Sequence, residues 1–183
     1  MPVSRLLLGA ASLVVAIGCI GCGGGVVTCD GFVHIVAGDF GRTADTLWWT
    51  LEVEDIPDTL RFNSLFVPPG FLEYRWAVDV DSDRNGRTDL SVDVINYTML
   101  GATPVDTADI LSVAREDLWE VTGDTSRPIG EITATLTDNT FRFEVASSAA
   151  PGLAVVSDRS QSTWTTFYRF GGGPLDQCGE RWR

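Results

Sequence analysis

The chain has 183 residues, enough for one domain with a sizeable core. All thirteen of its basic residues are arginine, and against twenty-five acids they leave a net charge of −12. A surface this negative excludes DNA, RNA and anionic membranes as partners, because phosphate binding needs the opposite sign.

The first segment is a targeting signal. Arg5 supplies a short positive region, and the apolar run Leu6–Ile17 is too short to span a bilayer comfortably. It continues as A-I-G-C-I-G-C-G-G-G, which resembles the lipobox of bacterial lipoproteins, where a small residue precedes the cysteine that receives lipid. Two cysteines compete for that role. Cys19, after Ala16-Ile17-Gly18, fits the usual pattern better. Cleavage before Cys22 would leave Cys29 and Cys178 as an even pair and place Gly23–Gly25 as a flexible tether, so Cys22 is the assigned lipidation site. The expected layout is a signal peptide over 1–21, a tether over 22–30 and a single domain over 31–183. In an oxidising compartment Cys29 and Cys178 are expected to form a disulfide that joins the ends of the domain. In the chain-entropy account a loop that long contributes about 5 kcal/mol.

Turn signals recur at short intervals through the rest of the chain, among them Ile56-Pro57-Asp58, Asn85-Gly86, Asp138-Asn139 and Pro151-Gly152. Threonine-, valine- and aromatic-rich runs lie between them, which predicts an all-β, two-sheet antiparallel sandwich. Gly31–Ala37 opens the domain. In Leu47–Glu54, Leu47, Trp49, Leu51 and Val53 share the inward face, while Trp48, Thr50, Glu52 and Glu54 face outward. Leu72, Tyr74, Trp76, Val78 and Val80 form the next inward set, followed by Leu90, Val92 and Val94. Asp106–Glu116 reads as either loop or a short helix within 106–117. Ile132, Ala134 and Leu136 turn at Asp138-Asn139 and return as Phe141, Phe143 and Val145. Ser162–Phe170 is a late aromatic strand.

The stretch most suggestive of chemistry is Asp79–Asp93, D-V-D-S-D-R-N-G-R-T-D-L-S-V-D, with five aspartates and one asparagine. If Val80 faces Leu90, then Asp81 falls opposite Asp89 and Asp79 opposes Ser91. Like charges opposed on a hairpin are destabilising, so this end needs a cation. Either a metal ion fills that role, or Arg84 and Arg87 neutralise the acids on a solvated hairpin tip. Hard oxygen donors favour calcium. Asp81–Gly86 resembles the first half of an EF-hand loop, with Asp81, Asp83 and Asn85 giving side-chain oxygens, Gly86 the sharp turn and Arg87 its carbonyl. The closing glutamate of that pattern would fall at Val92 and the flanks are strands, so this is no EF-hand. Asp89, Asp79 or Asp93 is expected to complete the shell.

The longer run Y-R-W-A-V-D-V-D-S-D-R-N-G-R-T-D-L-S-V is similar to a pattern in secreted bacterial β-sandwiches akin to carbohydrate-binding modules and related jelly rolls. The resemblance spans Leu47–Val94 at most. It implies a jelly-roll-like sandwich and a structural calcium, with no particular ligand.

Trp48, on a face otherwise polar, is the first candidate ligand platform, followed by Trp164 and Tyr168 on one side of the late strand. An exposed indole beside acids can stack on a sugar ring while its neighbours hydrogen-bond the hydroxyls. Catalysis finds little support: the single histidine, His34, sits in a β-like run, and no G-x-S-x-G or Cys/His pair is present. The resulting expectation is an exported domain of the bacterial cell envelope, lipid-anchored or extracellular, touching the membrane only through that anchor. It would act as a calcium-stabilised binding module for a glycan or another surface component. The alternatives are an assembly lipoprotein that binds an envelope protein and, third, a carboxylate-dependent hydrolase.

Overall fold

A computed structural model describes residues 31–56, 60 and 61, 72–98, 107 and 108, 111, 115–170 and 177–183. The described residues are mostly antiparallel strands, as the alternation and turn spacing require. In order they are β1 (Ile35–Arg42), β2 (Thr46–Val53), β3 (Leu60–Arg61), β4 (Leu72–Val80), β5 (Leu90–Thr98), β6 (Thr107–Ala108), β7 (Arg115–Thr122), β8 (Thr125–Glu131), β9 (Thr133–Thr137), β10 (Thr140–Ala146), β11 (Ser162–Phe170) and β12 (Gln177–Trp182). One sheet runs β1-β2-β10-β9 and the other β12-β11-β4-β5-β7-β8, with β3 and β6 paired separately. A short helix, α1 (Pro151–Ala154), and a 3-10 turn at Arg159–Gln161 connect β10 to β11.

The inward sets are those the alternation predicts. Leu47, Trp49, Leu51 and Val53 from β2 and Phe141, Phe143 and Val145 from β10 are buried against Trp76, Val78, Val80, Val92, Val94 and Leu118 of the larger sheet. Trp76 stacks on Phe141 across the sandwich, ring centroids 4.7 Å apart. A buried indole needs an acceptor for its N–H. Trp49 Nε1 donates to Ser162 Oγ (2.8 Å), Trp76 Nε1 to the Phe32 carbonyl (2.8 Å) and Trp164 Nε1 to the Thr50 carbonyl (2.7 Å). These bonds tie the two sheets to each other and the core to the opening 3-10 turn, Gly31–Val33.

The β4–β5 register matches the predicted one, with Val80 opposite Leu90 and Asp79 opposite Ser91. The helix considered for 106–117 lies largely outside the described residues. Its flanks are strand, and Leu111, described between them, has helical backbone. The signal segment, the tether, Cys22 and Cys29 also lie outside the described residues. Cys178 has its backbone opposite Tyr168 in β12, but its pairing with Cys29 falls outside them as well.

Candidate metal centre and the outer faces of the sandwich

The loop over 81–89 closes the β4–β5 hairpin and is ordered largely by its own acids. Asp81 accepts from the backbone N–H of Asn85 (3.0 Å) and of Gly86 (2.8 Å). Asp83 accepts from Asn85 N–H (3.0 Å) and from the Asn85 side-chain amide (2.9 Å). Asp89 accepts from Ser82 through both N–H (2.9 Å) and Oγ (2.6 Å). These bonds need a tight reversal, which Gly86 supplies in a left-handed conformation at φ +86°. Arg84 also takes positive φ, at +61°.

This folding brings Asp81, Asp83 and Asp89 together, with one oxygen from each within 4.8 Å of the others. The group could hold a metal ion. Two unit charges about 4 Å apart repel by ~1 kcal/mol in bulk water and ~4 kcal/mol at the effective dielectric near a protein surface. The loop's N–H donors offset part of that, and among the described residues no basic side chain pairs with the three. The alternative considered for this tip, neutralisation by Arg84, does not occur. Its guanidinium turns to Asp158, and also reaches Ser157 Oγ (3.2 Å) and Gln161 Oε1 (3.3 Å). Hydrogen bonds from the Ser160 side chain and backbone hold the Asp158 carboxyl below its usual range, with Arg84 lowering it further. Gln161 in turn donates to the Ser82 carbonyl (2.9 Å), fastening the acidic loop to the turn before β11. Asn85 spends its oxygen on the Arg87 N–H (2.8 Å), and the Arg87 side chain is exposed.

Asp79 and Asp93, expected to help close the shell, belong to a different arrangement. Both lie on the outer face of the larger sheet with Arg75, which stands four positions before Asp79 and so shares its side of β4. Arg75 Nε donates to Asp93 Oδ2 (2.7 Å) and Nη2 to Ser91 Oγ (2.7 Å), with Asp79 3.7 Å away. Ser91 Oγ donates to Asp79 (2.9 Å), and Trp119 Nε1 donates to Asp93 Oδ1 (2.9 Å). Asp93 is buried, and that desolvation raises its pKa. The Arg75 charge and the hydrogen bonds from Arg75 and Trp119 oppose the rise, while the charge of Asp117, its register partner, adds to it.

The expected ligand platforms also need correction. Trp48 does lie on the outer face of β2, but the Arg142 guanidinium sits 4.5 Å above its ring and Gly41 of β1 lies beneath its edge, where any Cβ would overlap the indole. Arg142 is held in turn by Glu144 (2.7 Å). Trp164 is fully buried and Tyr168 packs on Phe32 and Tyr74, so neither ring is an open platform. Alternation had placed the two on one side of β11, and that side is the core. His34 pairs with Glu180 (3.2 Å), which also accepts from Ile35 N–H (2.5 Å), a structural role at the start of β1.

The residue that the sequence reading passed over is Trp119. Alternation in β7 was available to find it, since Leu118 points inward and Asp117, Trp119 and Val121 take the other face. Trp119 is half-buried in a groove of about 440 Å³ on the outside of the larger sheet, lined also by Arg75, Asp79, Asp93, Ile95 and Asp124.

Compared with protein-family models, curated proteins and solved structures, the chain matches none. The functional reading therefore rests on the sequence signals and the site chemistry.

Proposed function

We propose that the protein is an exported, lipid-anchored binding module of the bacterial cell envelope, recognising a glycan or another surface component, with a structural calcium ion in the β4–β5 loop. The observation that carries the calcium is the convergence of Asp81, Asp83 and Asp89 with no basic partner among the described residues. An all-oxygen donor set on an irregular loop suits a hard cation, and calcium tolerates such irregular geometry better than magnesium does. In this reading the aspartates supply charge, and the Asn85 and Gly86 N–H groups keep Asp81 and Asp83 oriented. The ion would fix the hairpin end next to the turn that Arg84 and Gln161 clamp. The assembly alternative has less to rest on: among the described residues the large exposed apolar side chains are Val36 and Val155.

Thermal unfolding of the full chain with calcium or with chelator tests the proposal. A ligand specific for the native state stabilises it in proportion to the logarithm of its concentration, so calcium at about 100 times its dissociation constant adds ~2.7 kcal/mol. The melting temperature should rise with calcium, and Asp81→Ala should abolish the rise while Glu131→Ala keeps it. Melting that ignores both calcium and chelator would defeat the site.

A further inference from the structure

We propose that the groove on the outer face of the larger sheet is a binding site for an organic cation, an ammonium or guanidinium group laid on the Trp119 ring. The inference rests on the reading of the chain as a binding module and is independent of the calcium loop. Its first support is a comparison among tryptophans. Trp48 carries Arg142 at 4.5 Å, and Trp164 and Trp182 share Arg159 at 4.9 and 4.6 Å. Among the described residues, the Trp119 ring has neither a guanidinium nor another aromatic ring against it. A cation over an indole face is attracted by the ring quadrupole, more strongly where water is displaced. Among the described residues the partly exposed indoles of Trp48 and Trp182 are thus covered by the chain's own arginines, and that of Trp119 is left facing a groove.

The second support is charge. Among the described residues the groove is lined by three carboxylates, Asp79, Asp93 and Asp124, and by one cation, Arg75. Arg75 is already engaged with Asp93, Ser91 and Asp79. The remaining field is negative, on a chain whose net charge is −12. Such a recess concentrates cations and repels carboxylate or phosphate ligands.

The third support is preorganisation. Trp119 Nε1 is fixed on Asp93 Oδ1 at 2.9 Å, and Asp93 is only 2% exposed. The indole is thereby held in one orientation before any ligand arrives, which lowers the ordering cost of binding. Ile95 and Val121 give the groove apolar walls, and Ser91 and Ser126 give it hydroxyls. A volume of about 440 Å³ suits a small cation or one basic side chain of a peptide.

The test follows the indole N–H signals of the full chain, labelled with 15N-tryptophan, during titration with choline and with arginine amide. Myo-inositol and acetate serve as the neutral and anionic controls. The signal that Trp119→Phe deletes should shift and saturate with both cations, and stay still with inositol and acetate. Asp124→Asn, at an exposed turn, should weaken the apparent affinity threefold or more. A Trp119 signal that ignores both cations would overturn the inference. So would one that moves equally with inositol, or indole signals that all drift together without saturation. If calcium still raises the melting temperature while the indole ignores cations, this inference fails and the calcium proposal stands; the reverse pattern separates them the other way.

Discussion

The run Asp79–Asp93 solves one electrostatic problem in two ways. At the stem of the hairpin, Asp79 and Asp93 flank Arg75, and Ser91 bridges the group with its hydroxyl. At the tip, Asp81, Asp83 and Asp89 converge with backbone N–H donors and, among the described residues, no arginine partner. The stem carries its own cation because its acids sit on a sheet face, where a strand residue four positions away can reach them. The tip has left the ladder, and of its two loop arginines Arg84 is drawn off to Asp158 while the Arg87 side chain is exposed. Residue type alone therefore does not mark a metal site. What matters is whether the fold provides an internal counter-charge.

The sharpest way to break this contrast is to remove the internal cation. Arg75→Ala leaves Asp93 buried beside Asp117 with no guanidinium, and uncovering one partner of a buried pair costs about 3 kcal/mol. Urea unfolding should show a loss of that size, and a loss below about 1 kcal/mol would show that the stem is held by something else. Asp93→Asn tests the same site through pH. Burial raises the folded carboxyl above its unfolded value, so the native state binds the proton more tightly. The contribution of Asp93 to stability is accordingly greatest below the unfolded value, falls as pH rises through the raised folded one, and is level above it. In melting curves taken from about pH 4 to about pH 7, Asp93→Asn should lack that decline. A decline of unchanged size would assign it to another group.

At the tip the expected effects are smaller. Gly86 has open space where a Cβ would go, so the cost of Gly86→Ala is the left-handed backbone alone, about 1 kcal/mol, readable in chemical denaturation. Arg84→Ala keeps a non-glycine residue at positive φ and deletes the guanidinium with its contacts to Asp158, Ser157 and Gln161. Its ion pair with Asp158 is exposed, so the melting temperature should hardly change, and the response to calcium should persist. A lost response would make Arg84 part of the site.

Much of this frame is legible in the sequence. Strict alternation in Leu47–Val53 assigns the faces of β2, and the Val80–Leu90 pairing follows from the apolar residues on either side of the acidic loop. Alternation assigns a residue to a face but does not say what covers that face. Trp48 lies outward as read, yet its cover, Arg142, comes from a strand paired alongside only in the fold. In β11 both faces carry aromatics, so the pattern could not tell that Trp164 was core. Arg75 was within reach, because residues 75, 77 and 79 share one face of a strand. The partner of Arg84 was not, since Asp158 stands 74 residues away.

Equilibrium dialysis against calcium, with the full chain, Asp83→Asn and Asp93→Asn compared side by side, tests the central claim most directly. The account predicts one bound ion per wild-type chain, lost in Asp83→Asn and kept in Asp93→Asn, with melting curves showing that both variants are folded. No bound calcium in the wild type, or an ion that survives Asp83→Asn and leaves with Asp93→Asn, would contradict it.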